Sequence, residues 1–227
     1  MNSRSLFYTA NAGFLLTVHG FTVAVDAFPQ EADRGFSALS SKDHTALCQS
    51  SLADSVRHVI ITHDHKDHYC PERTKQFLDQ HPEVGFFGLF EKEQLTYYLP
   101  GITLEFQKLP HDGAQFAQVS NYGCLLMFPD STRVLFLGDA KIGDPAIAQW
   151  IGGRSIDLAL LNFPWITLPK GRQFLTRHLP DTKIAILHLP YEEEDRNHYC
   201  EATRKTAETI TSHPITLLTH YGQPLSF

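Results

Sequence analysis

The sequence contains no Cys-x-x-Cys pair and only four cysteines, Cys48, Cys70, Cys124 and Cys200. Thiolate zinc frameworks and dithiol redox motifs are thereby excluded, and the thiols read as reduced, as in a cytoplasmic protein. The helical zinc pattern His-Glu-x-x-His is missing around the histidine-rich stretch. No apolar run is long enough to span a bilayer, so no membrane association is expected. Met1-Asn2-Ser3-Arg4 is followed by only a brief apolar stretch, broken at Thr9 and Asn11, which does not resemble a secretory signal. Basic residues nowhere cluster more densely than Arg204-Lys205, and the formal net charge is -6, so nucleic acid is not expected as a partner. Low-complexity segments are absent as well.

Seven residues, Thr62-His63-Asp64-His65-Lys66-Asp67-His68, follow the apolar run Val59-Ile60-Ile61 and bring three imidazoles and two carboxylates together. A polar loop needs no histidine, whereas a metal site needs this ligand set. Side chains alternate along a strand, so His63 and His65 can point together from its end and grip one ion. A turn into helix near Asp67 breaks that alternation and frees Asp67 and His68 for a second ion. Imidazole and carboxylate suit Zn, Fe, Mn or Ni better than thiophilic ions. Cys70 stands close to His68, but as a packed neighbour it is a better reading than as a ligand.

Thr-His-x-His-x-Asp-His after a hydrophobic strand resembles the signature of the metallo-β-lactamase-fold hydrolases, at His63, His65, Asp67 and His68. The resemblance implies an α/β fold, a four-layer αββα sandwich with a dinuclear site at one edge of two facing sheets. It implies further ligands in a set order, and the chain fills each slot. Thr22-Val23-Ala24-Val25 runs into Asp26, Leu109-Pro110 precedes His111, Val134 to Gly138 delivers Asp139, and Lys183 to Leu187 leads to His188. Asp26, His63, Asp139 and His188 also follow β-branched and aliphatic runs that read as buried strands, whose ends open onto ligand crevices in layered α/β proteins. His220, in His220-Tyr221-Gly222, competes with His188 for the last slot, but the order of strands and helices after Asp139 favours His188. A hairpin followed by an acidic strand end recurs at residues 13–26 and 123–139, as an internal repeat would.

Length and composition, 227 residues, 42% hydrophobic with 16 Phe, fit one domain over residues 1–227. Hydrophobic periodicity predicts helices over 43–53, 71–81, 91–98, 145–152, 169–179 and 192–212. Strands are expected in a hairpin over 5–26 and at 59–61, 84–87, 102–109, 157–163, 183–187 and 215–219, with a loop over 27–42 lying near the site. His44, His58, His81, His178, His198 and His213 sit at ordinary loop or helix positions and read as surface groups.

Two divalent ions, zinc foremost with Mn, Fe or Ni as alternatives, are implied. His63, His65 and His111 would hold the first, Asp67, His68 and His188 the second, and Asp139 would bridge them. Asp67 and Asp139 are the catalytic carboxylates of this reading, and Asp26 would fix a ligating imidazole from behind. The implied activity is hydrolysis of a small ester, lactone or phosphoester by a water activated at the dinuclear site. The opening Asn11 to Leu16 looks like the ascorbate-phosphate-lactonase-like branch. Rival readings are a phosphodiesterase acting on nucleic acid and a non-hydrolytic, iron-binding redox protein of the same fold.

Overall fold

The computed structural model describes residues 4–30 and 35–227, so the opening three residues and part of the expected loop over 27–42 lie outside the described residues. The chain divides into two compact units. The first runs to Leu89 and takes in His188–Asn197 and Leu218–Phe227, and the second comprises Phe90–Leu187 and His198–Leu217.

In the first unit, β1 (Arg4–Tyr8), β2 (Phe14–Val18) and β3 (Phe21–Val25) form an antiparallel meander. Strand β4 (Val56–Ile60) then lies parallel to β3, and β5 (Gly85–Phe87) parallel to β4. A closing strand, Pro224–Ser226, pairs antiparallel with β1 on the other side. Helices α1 (Ser41–Cys48) and α2 (Ser51–Asp54) replace the single helix expected over 43–53, because Ser50 stops one and caps the next by accepting from Ala53 N at 3.2 Å. Helix α3 (Pro71–Gln80) starts on Pro71, whose missing N–H costs nothing in a first turn. Both faces of this sheet are covered, with Phe14, Leu16, Val23 and Val25 buried on one face of the meander, Leu15 and Ala24 on the other, and the adjacent β4 residues Val59 and Ile60 fully buried.

The second unit contains β6 (Gln94–Leu99), β7 (Ile102–Leu109), β8 (Asn121–Met127) and β9 (Arg133–Phe136), all antiparallel. Strands β10 (Leu158–Asn162), β11 (Lys183–Leu187) and β12 (Ile215–Leu217) continue the same sheet in parallel. Helices α4 (Pro145–Ile151), α5 (Pro164–Thr167), α6 (Pro169–His178) and α7 (Tyr199–Glu208) complete the unit, giving seven α-helices among the described residues. Each unit therefore holds an antiparallel set that passes into parallel strands, and in each the hairpin that precedes the change ends in a carboxylate, Asp26 or Asp139. That is the pattern of the repeat seen at 13–26 and 123–139.

Three expectations give way. Residues 91–98 are not a helix: Tyr97 and Tyr98 favour strand, and Pro100 with Gly101 at φ 84° turns β6 back onto β7. The long helix over 192–212 is a single 3₁₀ turn, Glu192–Glu194, followed by α7, with His198 in the left-handed region at φ 57° between them. His44, His81 and His213 are buried rather than on the surface. Their rings pack as amphipathic bodies, His81 against Phe77 and His44 against Phe28, while His213 reaches the Leu179 carbonyl at 2.9 Å.

His58 lies between Phe21 and Phe87, and burial, then the Arg57 charge, pushes its pKa below the ordinary value. The His44 pKa falls by burial first and the Arg73 charge second. A lowered imidazole pKa means that the unfolded chain takes the proton first. The stability these groups contribute is present above the unfolded value of about 6.5 and is lost as the pH falls below it. Thermal unfolding at pH 7.5 and 5.5 should show a lower midpoint at the acid pH, and His58→Gln should make that drop shallower. An equal drop in the variant would contradict the assignment.

Candidate metal centre

Strand β4 has partners on both sides, so its end at Ile60 is fixed, and the chain leaves it straight into Thr62 and the histidine stretch. Asp26, one residue past β3, is fully buried and anchors this exit. Its Oδ1 accepts from Thr62 N at 2.9 Å, and its Oδ2 accepts from Thr62 Oγ1 at 2.6 Å and lies 2.8 Å from His68 Nδ1. The carboxylate holds the proton of His68 on Nδ1, which leaves Nε2 as the lone-pair nitrogen. Asp26 itself adopts φ 44°, a left-handed geometry that Asp tolerates better than most residues. Gly13 lies under this turn, where a Cβ would strike Thr9 Oγ1 and the Asp26 carbonyl.

Beyond Thr62, the ring nitrogens of His63 and His65 approach to 3.1 Å. The backbone then closes a tight turn, with His68 N and Tyr69 N both donating to the His65 carbonyl, at 2.9 and 2.7 Å. That turn swings Asp67 and His68 out of the strand alternation. His188 reaches the same place from the 188–197 segment, its N–H donating to the Asn11 carbonyl at 2.8 Å. Asp67, His68 and His188 present ligand atoms within 4.8 Å of one another. Asp67 Oδ2 is 3.4 Å from His188 Nε2 and 4.0 Å from His68 Nε2. Phe36 stands edge-on to the His188 ring at a centroid distance of 4.7 Å and also lines an open cavity with Gly35, Glu193, Glu194, Arg196 and Asn197. Ser37 beside it accepts from Tyr191 N at 2.7 Å and donates to Glu194 at 2.5 Å. Arg73 ties both ends of this loop by donating to the Pro29 and Leu39 carbonyls at 2.8 and 2.7 Å.

The second unit holds its own pair. His111 follows β7 and forms a bridge with Ala140, while Asp112 N donates to the Asp139 carbonyl at 2.8 Å. His111 Nδ1 donates to the Asp112 carbonyl at 2.6 Å, so Nε2 again carries the lone pair, 3.5 Å from Asp139 Oδ2. Asn121 fixes Asp139 from below, its Oδ1 accepting from Asp139 N at 3.0 Å, and Asn162 donates to Asp139 Oδ1 at 2.7 Å.

In both units, imidazole nitrogens and carboxylate oxygens face one another at 3.4 to 4.0 Å, a spacing suited to sharing a cation. The donor set fits a divalent ion of the borderline class. Cys70 stands apart from it, its thiol directed to Gln30 Oε1 at 3.1 Å. His220 is exposed, bonded to Thr219 and 3.9 Å from Glu192, and it is His188 that joins Asp67 and His68. The reading of the sequence missed Asn11, Asn121 and Asn162. The amides act across 56, 18 and 23 residues, and asparagine carries no positional signature.

No family model and no curated protein sequence matches the chain. Solved structures do match over its whole length. One is described as a possible metal-dependent hydrolase from Veillonella parvula DSM 2008, with 17% identity, 100% of both chains covered and a TM-score of 0.68. Another is the metallo-β-lactamase fold protein YhfI from Bacillus subtilis, with 14% identity, 99% of this chain and 100% of that one covered, and a TM-score of 0.65. A third is CmlA, a diiron β-hydroxylase from Streptomyces venezuelae, with 15% identity, 100% of this chain and 55% of that one covered, and a TM-score of 0.57. The chain has the metallo-β-lactamase fold, as the histidine motif implies.

Proposed function

We propose that the chain is a metal-dependent hydrolase of small esters, lactones or phosphoesters. In this reading His63, His65 and His111 would hold one divalent ion, Asp67, His68 and His188 would hold another, and Asp139 would serve both. The observation that carries it is the facing of His68 Nε2, His188 Nε2 and Asp67 Oδ2, with the far nitrogen of His68 already taken by Asp26. Three electron-pair donors are thereby aimed at one point. Divalent ions supply Lewis acidity, lowering the pKa of water from about 15.7 towards about 7 and drawing charge from a substrate oxygen. Zinc is the first candidate, with Mn, Fe and Ni compatible with the same donors.

The residues around the ions do the positioning. Asp67 orients the attacking water, and Asp26 keeps His68 in the tautomer that can ligate. Phe36 gives the apolar wall on which a substrate can rest. Steady-state kinetics of Phe36→Ala should show KM raised by roughly tenfold with kcat and metal content nearly unchanged, as expected for lost uniform binding. A fall in kcat with KM unchanged would place Phe36 in the chemistry instead.

A small-molecule substrate and a cytoplasmic setting accord with the net charge of -6, the reduced cysteines and the absence, among the described residues, of a helix long and apolar enough to cross a membrane. The fold shared with a diiron hydroxylase favours one rival, an iron redox protein. Elemental analysis of the purified protein, followed by a panel of esters, lactones and phosphodiesters, separates the two. Turnover on the panel supports hydrolysis. Iron as the sole metal with no turnover on any member would move the redox reading ahead.

A further inference from the structure

Asn11 sits in the turn between β1 and β2, fully buried, with φ 53°, a left-handed conformation that asparagine tolerates. Its carbonyl accepts from His188 N at 2.8 Å and from the Tyr8 hydroxyl at 3.1 Å. Its side-chain amide donates to the Asp67 carbonyl at 3.0 Å and to Asp67 Oδ2 at 3.1 Å. One residue thus holds the backbone of His188 and the carboxylate of Asp67. The carboxylate oxygen it grips is the one that faces His188 Nε2.

Asn162 does the corresponding work in the second unit. It ends β10 and donates to Asp139 Oδ1 at 2.7 Å, while the other oxygen, Oδ2, faces His111 Nε2. A second observation links the two asparagines. Among the described residues, Asn11 Oδ1 and Asn162 Oδ1 are both buried and without a hydrogen-bond partner. The hydrogen bonds that each side-chain amide makes are the ones its N–H groups donate to the aspartate, so the donor end is what ties each residue to the site. Lysine or arginine could hold a carboxylate as firmly, but its charge would cancel the one that a cation needs. A neutral amide restrains the carboxylate and leaves its charge intact.

We propose that Asn11 and Asn162 are a matched pair of positioning residues, each a neutral amide that locks one carboxylate, Asp67 or Asp139, in the orientation that receives a cation. The proposal rests on the metal-dependent reading above and extends it to two residues that contact no ion. Titration of the metal-free full chain with Co²⁺, followed by visible absorption and by counting equivalents bound, tests it without any substrate. Asn11→Gly keeps the left-handed backbone and removes only the amide, and Asn162→Ala does the same on a strand. Each variant should bind one equivalent about 10- to 100-fold more weakly, with a shifted cobalt spectrum and a metal-free melting temperature close to wild type. A merely structural role would lower that melting temperature and leave affinity and spectrum alone. If Asn11→Gly does not fold, Asn162→Ala carries the test. Wild-type affinity and an unaltered spectrum in the folded variants would overturn this proposal alone. A wild-type chain that takes up no cobalt would overturn the metal reading, and this proposal with it.

Discussion

Asp139→Ala should abolish hydrolysis, lowering turnover by more than about a thousandfold, and should leave the protein short of at least one metal equivalent. The magnitude follows from the role. Loss of a residue that merely supports a ligand costs about 10- to 100-fold in affinity or activity, and loss of a direct ligand, the role proposed for Asp139, should cost more. The variant should still fold, because the Asp139 backbone bonds, N–H to Asn121 and carbonyl to Asp112, do not need its side chain. Activity on whichever panel member the wild type turns over, together with metal content, is the measurement. Retention of full metal and full turnover would remove Asp139 from the centre.

The largest effect on stability is expected at Asp26. Its carboxylate is fully buried and serves Thr62 N, Thr62 Oγ1 and His68 Nδ1. Asp26→Ala leaves those donors buried and unmatched and keeps a β-carbon on a left-handed residue while removing the side-chain hydrogen bonds that offset that geometry. Each buried donor left unsatisfied costs about 1–3 kcal/mol, and three are left here, so the loss is on the order of several kcal/mol. At about 2–4 °C per kcal/mol for a chain of this size, the melting temperature should fall by roughly 10 °C or more. Asp26→Asn preserves size and tolerates the backbone, but it brings an N–H where His68 needs an acceptor. It should therefore fold better than the alanine variant and yet bind metal poorly. Thermal melts with metal titration distinguish the two effects, and an alanine variant as stable as wild type would refute the anchoring role.

The parts legible in the sequence were those whose signal is local. His63, His65, Asp67 and His68 lie within six residues, and an apolar strand before them sets their direction. Asp26 could be found because it ends a β-branched run, and His188 because the order of strands and helices places it. Strand β7 and helix α3 were readable from period and from Pro71. What escaped was decided by distant contacts. Residues 91–98 have a helix-compatible composition, yet pairing along β7 makes them a strand. The acidic run at Glu192–Glu194 reads as a helix start, but Glu192 N is taken by the Thr219 carbonyl at 3.0 Å and Glu194 by Ser37, so the chain turns once and stops. Asn11 and Asn162 were invisible for the same reason: an amide declares its role only through the carboxylate that it meets.

The central claim is that separate stretches of this chain supply electron-pair donors to bound divalent ions. The most direct test is elemental analysis of the protein after saturation with zinc and removal of excess by gel filtration. Two equivalents per chain, falling to one or none in His63→Ala and His68→Ala, are predicted. A wild-type chain that retains no metal after saturation would contradict the claim.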